Sequence, residues 1–263
     1  MNHEDYLRAG QLAAALNSLQ DCIRAEPANT KYRILLFQLL VILGQWERAL
    51  KQLDLISNMD TSALGMVHLY RSVITCELLR EQVFQGKRAP IFVGQPAEWQ
   101  ALLVQTLPLL AAERYSEARD LKEQAFELAP LTKGRINDQA FEWLADADSR
   151  LGPSLELIID GGYRWAAYEQ IQFIKLEKAS DLRDFVWLPA QIRWKTGGNT
   201  PAFIPTRYPN SVTRSDSLAL ARQTEWEEVA ESFYMGYGQR VLVSNLDDHA
   251  LLDLQTIHLG EVN

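Results

Sequence analysis

The 263-residue sequence contains only two cysteines and no long uninterrupted apolar run. Cys22 and Cys76 are too few for a disulfide framework or a four-ligand cysteine zinc site. The longest apolar stretch, Ile34–Leu43, contains Gln38 and is about half of the ~20 residues that a membrane-spanning helix needs. The N-terminal residues 1–5 are acidic and lack an apolar signal core. We therefore expect a cytoplasmic protein that does not insert into a membrane.

The chain also has no excess of positive charge. Its 26 Lys and Arg residues are outnumbered by 34 Asp and Glu residues, which gives a formal net charge of −8. Such a chain repels phosphates unless a local basic patch is present, so the composition argues against nucleic acid as a partner. The hydrophobic fraction of 47% is ordinary for a globular protein that buries a sizeable core.

The familiar sequence signatures of catalysis are missing. The chain has no Gly-x-Ser-x-Gly elbow, no Walker A loop, no Gly-x-Gly-x-x-Gly and no His-Glu-x-x-His. Its four histidines, at positions 3, 68, 249 and 258, are scattered and never stand at metal-ligand spacing. We expect neither a cofactor nor a bound metal.

The chain changes character near residue 133. The formal charge is −1 before this point and −7 after it, which together make the −8 of the whole chain. Apolar residues recur with helical period in the first part, whereas the second consists of short segments punctuated by Gly and Pro. The sequence predicts an α+β protein. Residues 1–133 would form a TPR-like helical repeat domain, and residues 134–263 a β-rich, mostly antiparallel domain.

Internal repeats support the helical prediction. Residues 10–16 match residues 44–50 at an offset of 34, which is the tetratricopeptide period, and residues 114–118 give a third, shorter match. A small alanine at the equivalent positions lets paired helices approach closely, and a following proline ends the second helix. These positions are Ala15, Ala49 and Ala118, with Pro27 and Pro130. The predicted helices are 2–9, 11–25, 29–43, 45–57, 62–85, 97–112 and 115–129. The alternative is a generic helical bundle without a concave groove.

Strand patterns follow residue 150. The turn Asp160-Gly161-Gly162 lies between apolar runs and predicts a hairpin, and residues 190–195 alternate as a half-buried strand does. Residues 240–254 predict a further hairpin. Residues 89–96 are predicted to be a loop, and residues 218–221 fit either a short helix or a strand. Three prolines predict that their strands lie at sheet edges or bulges. They are Pro189, Pro201 and Pro205.

One segment, residues 141–150, is dense in charge. On a helix, Glu142, Asp146 and Arg150 would share one face, with Trp143 and Asp148 close by. A functional interpretation is a carboxylate pair for metal or acid–base chemistry. The structural alternative is an Asp–Arg pair at a helix end with Trp143 in the interdomain core.

Two later segments are further candidates. Arg207 with Tyr208 could bind a carboxylate or phosphate, or Arg207 could pair with an acid such as Glu225. Glu225 begins an acidic cluster that is typical of solvated surface. Trp226 and Arg240 are better candidates for a buried or partner-facing anchor.

These segments carry a family resemblance. They resemble the ImpE/TagJ (SciE-type) family of accessory proteins of bacterial type VI secretion, over essentially the whole chain and most specifically from residue 134 onward. Asn210 stands where the family usually has glycine, and both residues tolerate a positive φ. The matching segments are Phe141–Pro153, Asp181–Ala190, Ile204–Pro209, Thr224–Trp226 and Gly238–Arg240.

The resemblance implies a non-enzymatic adaptor that contacts the contractile sheath, through its small subunit, and the AAA+ unfoldase ClpV. It identifies no binding residues. Stacked helix pairs present a groove suited to a partner helix or peptide, so we expect the helical stack, shaped by Trp46 and Tyr115, to take a partner segment. Two alternatives remain. One is a metal- or carboxylate-dependent enzyme with a site in the interdomain cleft. The other is a scaffold that homo-oligomerises.

Overall fold

The computed structural model describes residues 1–260, so the last three residues of the predicted second domain lie outside the described part. Helices predominate up to residue 128 and strands after it, and the predicted α+β class is confirmed. The helices are α1 His3–Arg8, α2 Leu12–Ala25, α3 Thr30–Ile42, α4 Trp46–Met59, α5 Leu64–Phe84, α6 Glu98–Ala111, α7 Tyr115–Leu128 and α8 Asp216–Ala219. The strands are β1 Ile91–Phe92, β2 Gly134–Ile136, β3 Gln139–Phe141, β4 Leu144–Asp146, β5 Ser154–Ile159, β6 Gly162–Ala167, β7 Ile171–Leu176, β8 Trp187–Trp194, β9 Asn199–Pro205, β10 Thr224–Ala230, β11 Phe233–Gly238, β12 Val241–Ser244, β13 Asp248–Ala250 and β14 Thr256–Leu259.

The seven predicted helices are present, with ends within two residues of the prediction. The repeat alanines Ala15, Ala49 and Ala118 are fully buried, as close helix pairing requires. Gly44 turns the chain between α3 and α4 with φ +63°, a conformation that glycine adopts without steric cost. Residues 216–219 form the short helix α8.

The strands form one nine-stranded sheet in the order β1-β6-β5-β9-β8-β7-β14-β2-β3, a three-stranded sheet β13-β12-β4 and the hairpin β10-β11. The predicted hairpin around residues 160–162 joins β5 to β6. The predicted loop 89–96 is only partly a loop, because β1 adds to the sheet parallel to β6.

The expectation that the proline-bearing strands lie at edges is wrong, because β8 and β9 lie inside the large sheet. The prolines are tolerated where ladder bonds are not needed. Pro189 lies beyond the last β7–β8 pair, Leu176 with Ala190. The carbonyl of Pro205 faces the Arg240 side chain, which donates to it at 2.8 Å.

The middle of the large sheet is buried on both faces. All six residues of β5 are buried. Ile158 packs with the helices in one apolar cluster, whereas Leu155 and Leu157 belong to a second cluster that includes Leu242 of the small sheet. The first cluster also contains Trp187, so helices and sheet share a continuous core. A boundary at residue 133 stays a prediction, although α7 ends at Leu128 and β2 begins at Gly134.

The sheet half covers the face of the helices that was expected to line an open groove. The Leu182 backbone N–H donates to Gln38 of α3 at 3.1 Å, and the Trp187 indole donates to Glu77 of α5 at 2.9 Å. Trp46 is nearly buried and its ring lies 5.9 Å from that of Trp187. This face of the stack is therefore occupied by the chain itself, and a partner segment must use another surface.

Candidate functional site

The charged segment 141–150 is not a helix, which corrects the prediction. It contains strand β4 and then a turn, in which the Asp148 carbonyl accepts from the N–H groups of Leu151 and Gly152 at 2.9 and 3.1 Å. Glu142 and Asp146 consequently share no face: Glu142 is exposed and Asp146 is buried. The turn wins over a helix because Asp side chains bind nearby backbone N–H groups.

Asp146 is held from three sides. Its carboxylate forms an ion pair with Arg240 and accepts from the Tyr208 hydroxyl at 2.8 Å and from the Asp148 N–H at 2.9 Å. Burial, followed by the neighbouring Asp146 carboxylate, raises the pKa of Tyr208 well above its ordinary value. The phenol therefore stays protonated and donates to this carboxylate.

Asp148 forms the second acid–arginine pair. Its carboxylate accepts from Arg150 Nε at 2.8 Å and from the Gly236 backbone N–H at 2.8 Å. Asp148 is fully buried, and the Arg150 guanidinium also lies 5.0 Å above the ring of Phe84 on α5. This pair ties the turn after β4 to strand β11 and to the helical half.

Glu156, in the middle of buried strand β5, is the centre of the network. It accepts from Arg80 Nε at 2.7 Å and from the Tyr163 hydroxyl at 2.5 Å, and it pairs with Arg240. Burial by itself would raise the pKa of Glu156. The attraction of Arg80 and Arg240, with these hydrogen bonds, outweighs burial and lowers that pKa to about 2. Glu156 is therefore ionised at neutral pH.

Arg80 carries the network into the helical half. Its Nη1 donates at 2.9 Å to Glu77, one helical turn earlier on α5, and Glu77 also accepts from Trp187. Arg80 is 3% exposed and Glu156 is fully buried. The ion pair between them consequently joins the longest helix to the middle of the sheet in a place that water does not reach.

Among residues 1–260, Arg207 forms no ion pair with a carboxylate, so the suggested pair with Glu225 is wrong. Its guanidinium donates to the carbonyls of Val41 at 3.0 Å and Ile42 at 2.7 Å, and also to the carbonyl of Ala219. These carbonyls include the C-terminal end of α3, where a cation is favoured by the helix dipole. Burial lowers the pKa of Arg207 to about 10, against the opposing attraction of nearby glutamates.

The nine predicted site residues therefore divide into two groups. Six are buried and bound to partners within the protein, and three lie at the surface. The buried six are Asp146, Asp148, Arg150, Arg207, Tyr208 and Arg240. The surface three are Trp143, which is half-buried, Glu225, which is exposed, and Trp226, which is 41% exposed.

The sequence analysis missed the acids and bases that complete the network, namely Glu77, Arg80, Glu156 and Tyr163. A signal was present. Glu156 is the one charged residue within the apolar run 155–159, whereas Arg80 lies among Glu77, Glu81 and Gln82 and had no such signal. A charge in a segment that is otherwise wholly apolar requires a buried partner.

The proposed catalytic carboxylates do not converge in an open pocket. Asp146 and Asp148 are paired and buried, whereas Glu142 lies apart from them at the surface. Within residues 1–260, no group of three or more His, Cys, Asp and Glu side chains is placed to hold a metal ion. No helix of the described chain is both long enough and apolar enough to span a bilayer.

The exposed side of the same segment lines an apolar groove. This groove, here called the α7–β4 groove, has a volume of about 260 Å³ between the end of α7 and the small sheet. Leu131 at its mouth is 78% exposed, whereas Leu144 at its base is buried. Its lining includes Phe126, Leu131, Trp143, Leu144 and Val243.

Asn210 explains how the neighbouring loop is shaped. It has φ +63°, the left-handed conformation that glycine or asparagine tolerates, as expected from the substitution of Asn for the usual glycine. In the following 3₁₀ turn, residues 211–213, Ser211 Oγ accepts a hydrogen bond from the Gly238 N–H at 2.7 Å. This loop borders a small polar pocket of about 210 Å³ beside Arg80 and Arg207.

Comparison with known proteins identifies the family. Residues 138–258 match the ImpE protein family, and residues 6–64 match a tetratricopeptide repeat family. The chain is 46% identical over 255 residues to the type VI secretion system accessory component TagJ of Pseudomonas aeruginosa, covering 97% of this chain and 89% of that protein. It also resembles a crystal structure of a Vibrio parahaemolyticus protein, with a TM-score of 0.92, 26% identity and coverage of 99% and 98% of the two chains. The chain therefore belongs to the ImpE family, with a tetratricopeptide-like helical region before the family's strand-rich segment.

Proposed function

We propose that this chain is a non-enzymatic accessory protein of bacterial type VI secretion that acts in the cytoplasm as an adaptor. Its partners would be the small subunit of the contractile sheath and the AAA+ unfoldase ClpV. The similarity to TagJ along nearly the whole chain supports the secretion role. The two specific partners are inferred from the resemblance to the family.

The adaptor proposal rests on the two sides of segment 141–153, which have different roles. Asp146, Asp148 and Arg150 point inward, and they brace the fold through the Asp148–Arg150 pair and through the contacts of Asp146 with Arg240 and Tyr208. Glu142 alone among the segment's charged residues is exposed. The outward residues of the segment line the apolar α7–β4 groove together with the last helix of the stack. Exposed apolar surface of this kind is typical of sites that bind another molecule.

A partner segment fits this groove better than a metabolite does. The volume of about 260 Å³ is below the ~300 Å³ at which pockets begin to enclose whole ligands. It suits a few apolar side chains of an amphipathic helix, which would lie along the end of α7. The helical stack would therefore still contribute to partner binding. It would do so at its C-terminal end and not on the face that the sheet covers.

The test uses the full-length chain, because helices and sheet share one core. Purified wild-type protein is immobilised, and binding of the sheath small subunit and of ClpV is measured by biolayer interferometry. We expect Leu131→Asp to weaken the binding of one partner at least tenfold. The melting temperature should not change, because this side chain is 78% exposed. Leu55→Asp, on the surface of α4 and 40% exposed, is the matched control.

The outcomes separate the parts of the proposal. Absence of wild-type binding to both partners contradicts the adaptor function. Binding that is lost in Leu55→Asp but kept in Leu131→Asp would move the site to the outer surface of the helical stack and refute the groove.

A further inference from the structure

The hairpin β10-β11 is an acidic surface that stands apart from the two larger sheets. Residues 224–238 contain four glutamates and no lysine or arginine. Its strand β10 pairs only with β11. The two faces of the hairpin carry the same chemical groups in different surroundings, and this difference is informative.

The inner face already binds an arginine. The Tyr237 hydroxyl donates to Glu227 at 2.9 Å, and Arg214 forms an ion pair with the same carboxylate. The Arg214 guanidinium also lies 3.6 Å from the centroid of the Tyr237 ring. A tyrosine–glutamate pair on this hairpin is therefore sufficient to hold a guanidinium by charge and by its aromatic face.

The outer face repeats this arrangement without an arginine. Glu228 is directly opposite Tyr234 in the strand register, so the two side chains are neighbours on this face, and the Glu228 carboxylate also accepts from the Ser232 N–H at 3.0 Å. Trp226, two residues before Glu228 on the same face, is 41% exposed, as is Tyr234. In the described part of the chain, no lysine or arginine forms an ion pair with Glu228.

This outer face is held rigidly. The Tyr234 N–H donates to Ser149 Oγ, and the Ser149 N–H donates to the Tyr234 carbonyl, both at 2.9 Å. The Trp226 ring packs 5.6 Å from Tyr208, over Gly236, where a Cβ atom would lie 2.8 Å from the Trp226 ring. A preformed face loses little conformational entropy when a partner binds.

We propose that the outer face of the β10-β11 hairpin, formed by Trp226, Glu228 and Tyr234, binds an arginine- or lysine-bearing segment of a partner protein. The cation pairs with Glu228 and stacks on an aromatic ring, as Arg214 does on the inner face. Charge complementarity selects this occupant, because Glu228 gives this face a negative charge that attracts a cation and repels phosphates of nucleic acid or lipid. The surface adjoins the α7–β4 groove at Ser149, but its proposed role does not depend on the partners proposed above.

The test compares two glutamates of one strand. The probe is a fluorescein-labelled twelve-residue peptide of alternating Arg and Ser, and its binding to the full-length protein is measured by fluorescence anisotropy at low salt. Glu228→Gln and Glu225→Gln remove the same charge from exposed positions on opposite faces. We expect Glu228→Gln to weaken binding about tenfold and Glu225→Gln less than twofold. Tyr234→Ala should weaken it about threefold, through the lost aromatic contact.

Two results overturn the proposal. Equal losses in Glu228→Gln and Glu225→Gln would mean that the peptide responds only to net charge. Equal binding of a peptide in which Gln replaces every Arg would mean that no cation is recognised. Thermal melts of each variant check that the fold is retained, and unchanged binding of the sheath and unfoldase partners keeps this test distinct from that of the groove.

Discussion

Two clusters in this molecule contain the same number of acidic residues, but one is buried and the other lies largely at the surface. The buried network contains four arginines and four carboxylates, each nearly inaccessible to solvent. The β10-β11 hairpin has four glutamates, of which Glu225, Glu228 and Glu231 are exposed. The network members are Arg80, Arg150, Arg207, Arg240, Glu77, Asp146, Asp148 and Glu156.

The comparison teaches that burial, rather than charge density, dictates pairing. Removing a charge from water costs several kcal/mol, so each carboxylate of the network forms an ion pair with an arginine, and the buried Asp184 elsewhere accepts from backbone N–H groups. An exposed glutamate keeps its hydration and gains little from a partner. It is therefore the unpaired surface acids, and not the dense buried motif, that remain available to another molecule.

The strongest test of this contrast removes the shared cation of the network. Arg240→Ala leaves Asp146 and Glu156 buried without their common partner, and we expect the free energy of unfolding to fall by about 3–5 kcal/mol. Arg214→Ala, which breaks the exposed pair with Glu227, is the control and should cost about 0–1 kcal/mol. Urea unfolding followed by circular dichroism measures both. Equal costs would contradict the distinction between buried and exposed pairs.

As the pH falls, Asp146 is protonated first, because burial raises its pKa to about 6, and Glu156 is protonated only in strong acid. The folded-state pKa of Glu156, about 2, lies below the ~4.3 of a free glutamate, so its stabilisation is complete above this value and is lost as the pH falls towards 2. The full effect is about 3 kcal/mol. We expect the difference in unfolding free energy between wild type and Glu156→Gln to narrow as the pH falls from 5 to 3. A difference that stays constant over this range would show that Glu156 has an ordinary pKa.

The contact between Trp226 of the hairpin and Tyr208 of the network can be tested at Gly236. A methyl group there would overlap the Tyr208 ring and approach Trp226, so Gly236→Ala should cost about 1–3 kcal/mol. Gly65→Ala is the control, because that position in α5 has open space and alanine favours a helix. Denaturant unfolding gives both values. Equal stability of the two variants would contradict the close approach of Trp226 and Tyr208.

The smallest effect is expected for the exposed acids themselves. Glu225→Gln and Glu228→Gln should each change the free energy of unfolding by less than about 0.5 kcal/mol, because both side chains face solvent. The same unfolding measurement checks this. A loss of 2 kcal/mol or more in either variant would place that glutamate in the supporting structure and weaken the case for a binding surface.

Local patterns predicted much of the fold. The helices follow from apolar periodicity and from the alanine and proline positions of the repeats, and the hairpin at residues 160–162 follows from its glycine-containing turn. These signals act over a few residues, so sequence neighbours suffice to read them. The β10-β11 hairpin was not predicted, because its glutamates gave it the appearance of a solvated loop.

The candidate site was only partly predictable. Six of the predicted site residues are buried near one another in the structure. The helix predicted for segment 141–150, which contains three of them, was wrong. A spacing of four residues fits a helix face, but Asp146 and Asp148 bind backbone N–H groups of the turn instead. Partners such as Arg80 were missed, because the contact with Glu156 joins residues 76 positions apart.

The amino-acid sequence by itself determined the α+β class, the helical repeats, the acidic character and the family, because composition, periodicity and motif order are properties of the linear chain. Only the tertiary structure decided which charges are buried and paired, that the sheet half covers one face of the helices, and which acids stay open to solvent. Burial and long-range pairing depend on how distant segments pack together, and this packing is what turns similar runs of charge into a brace in one place and an accessible surface in another.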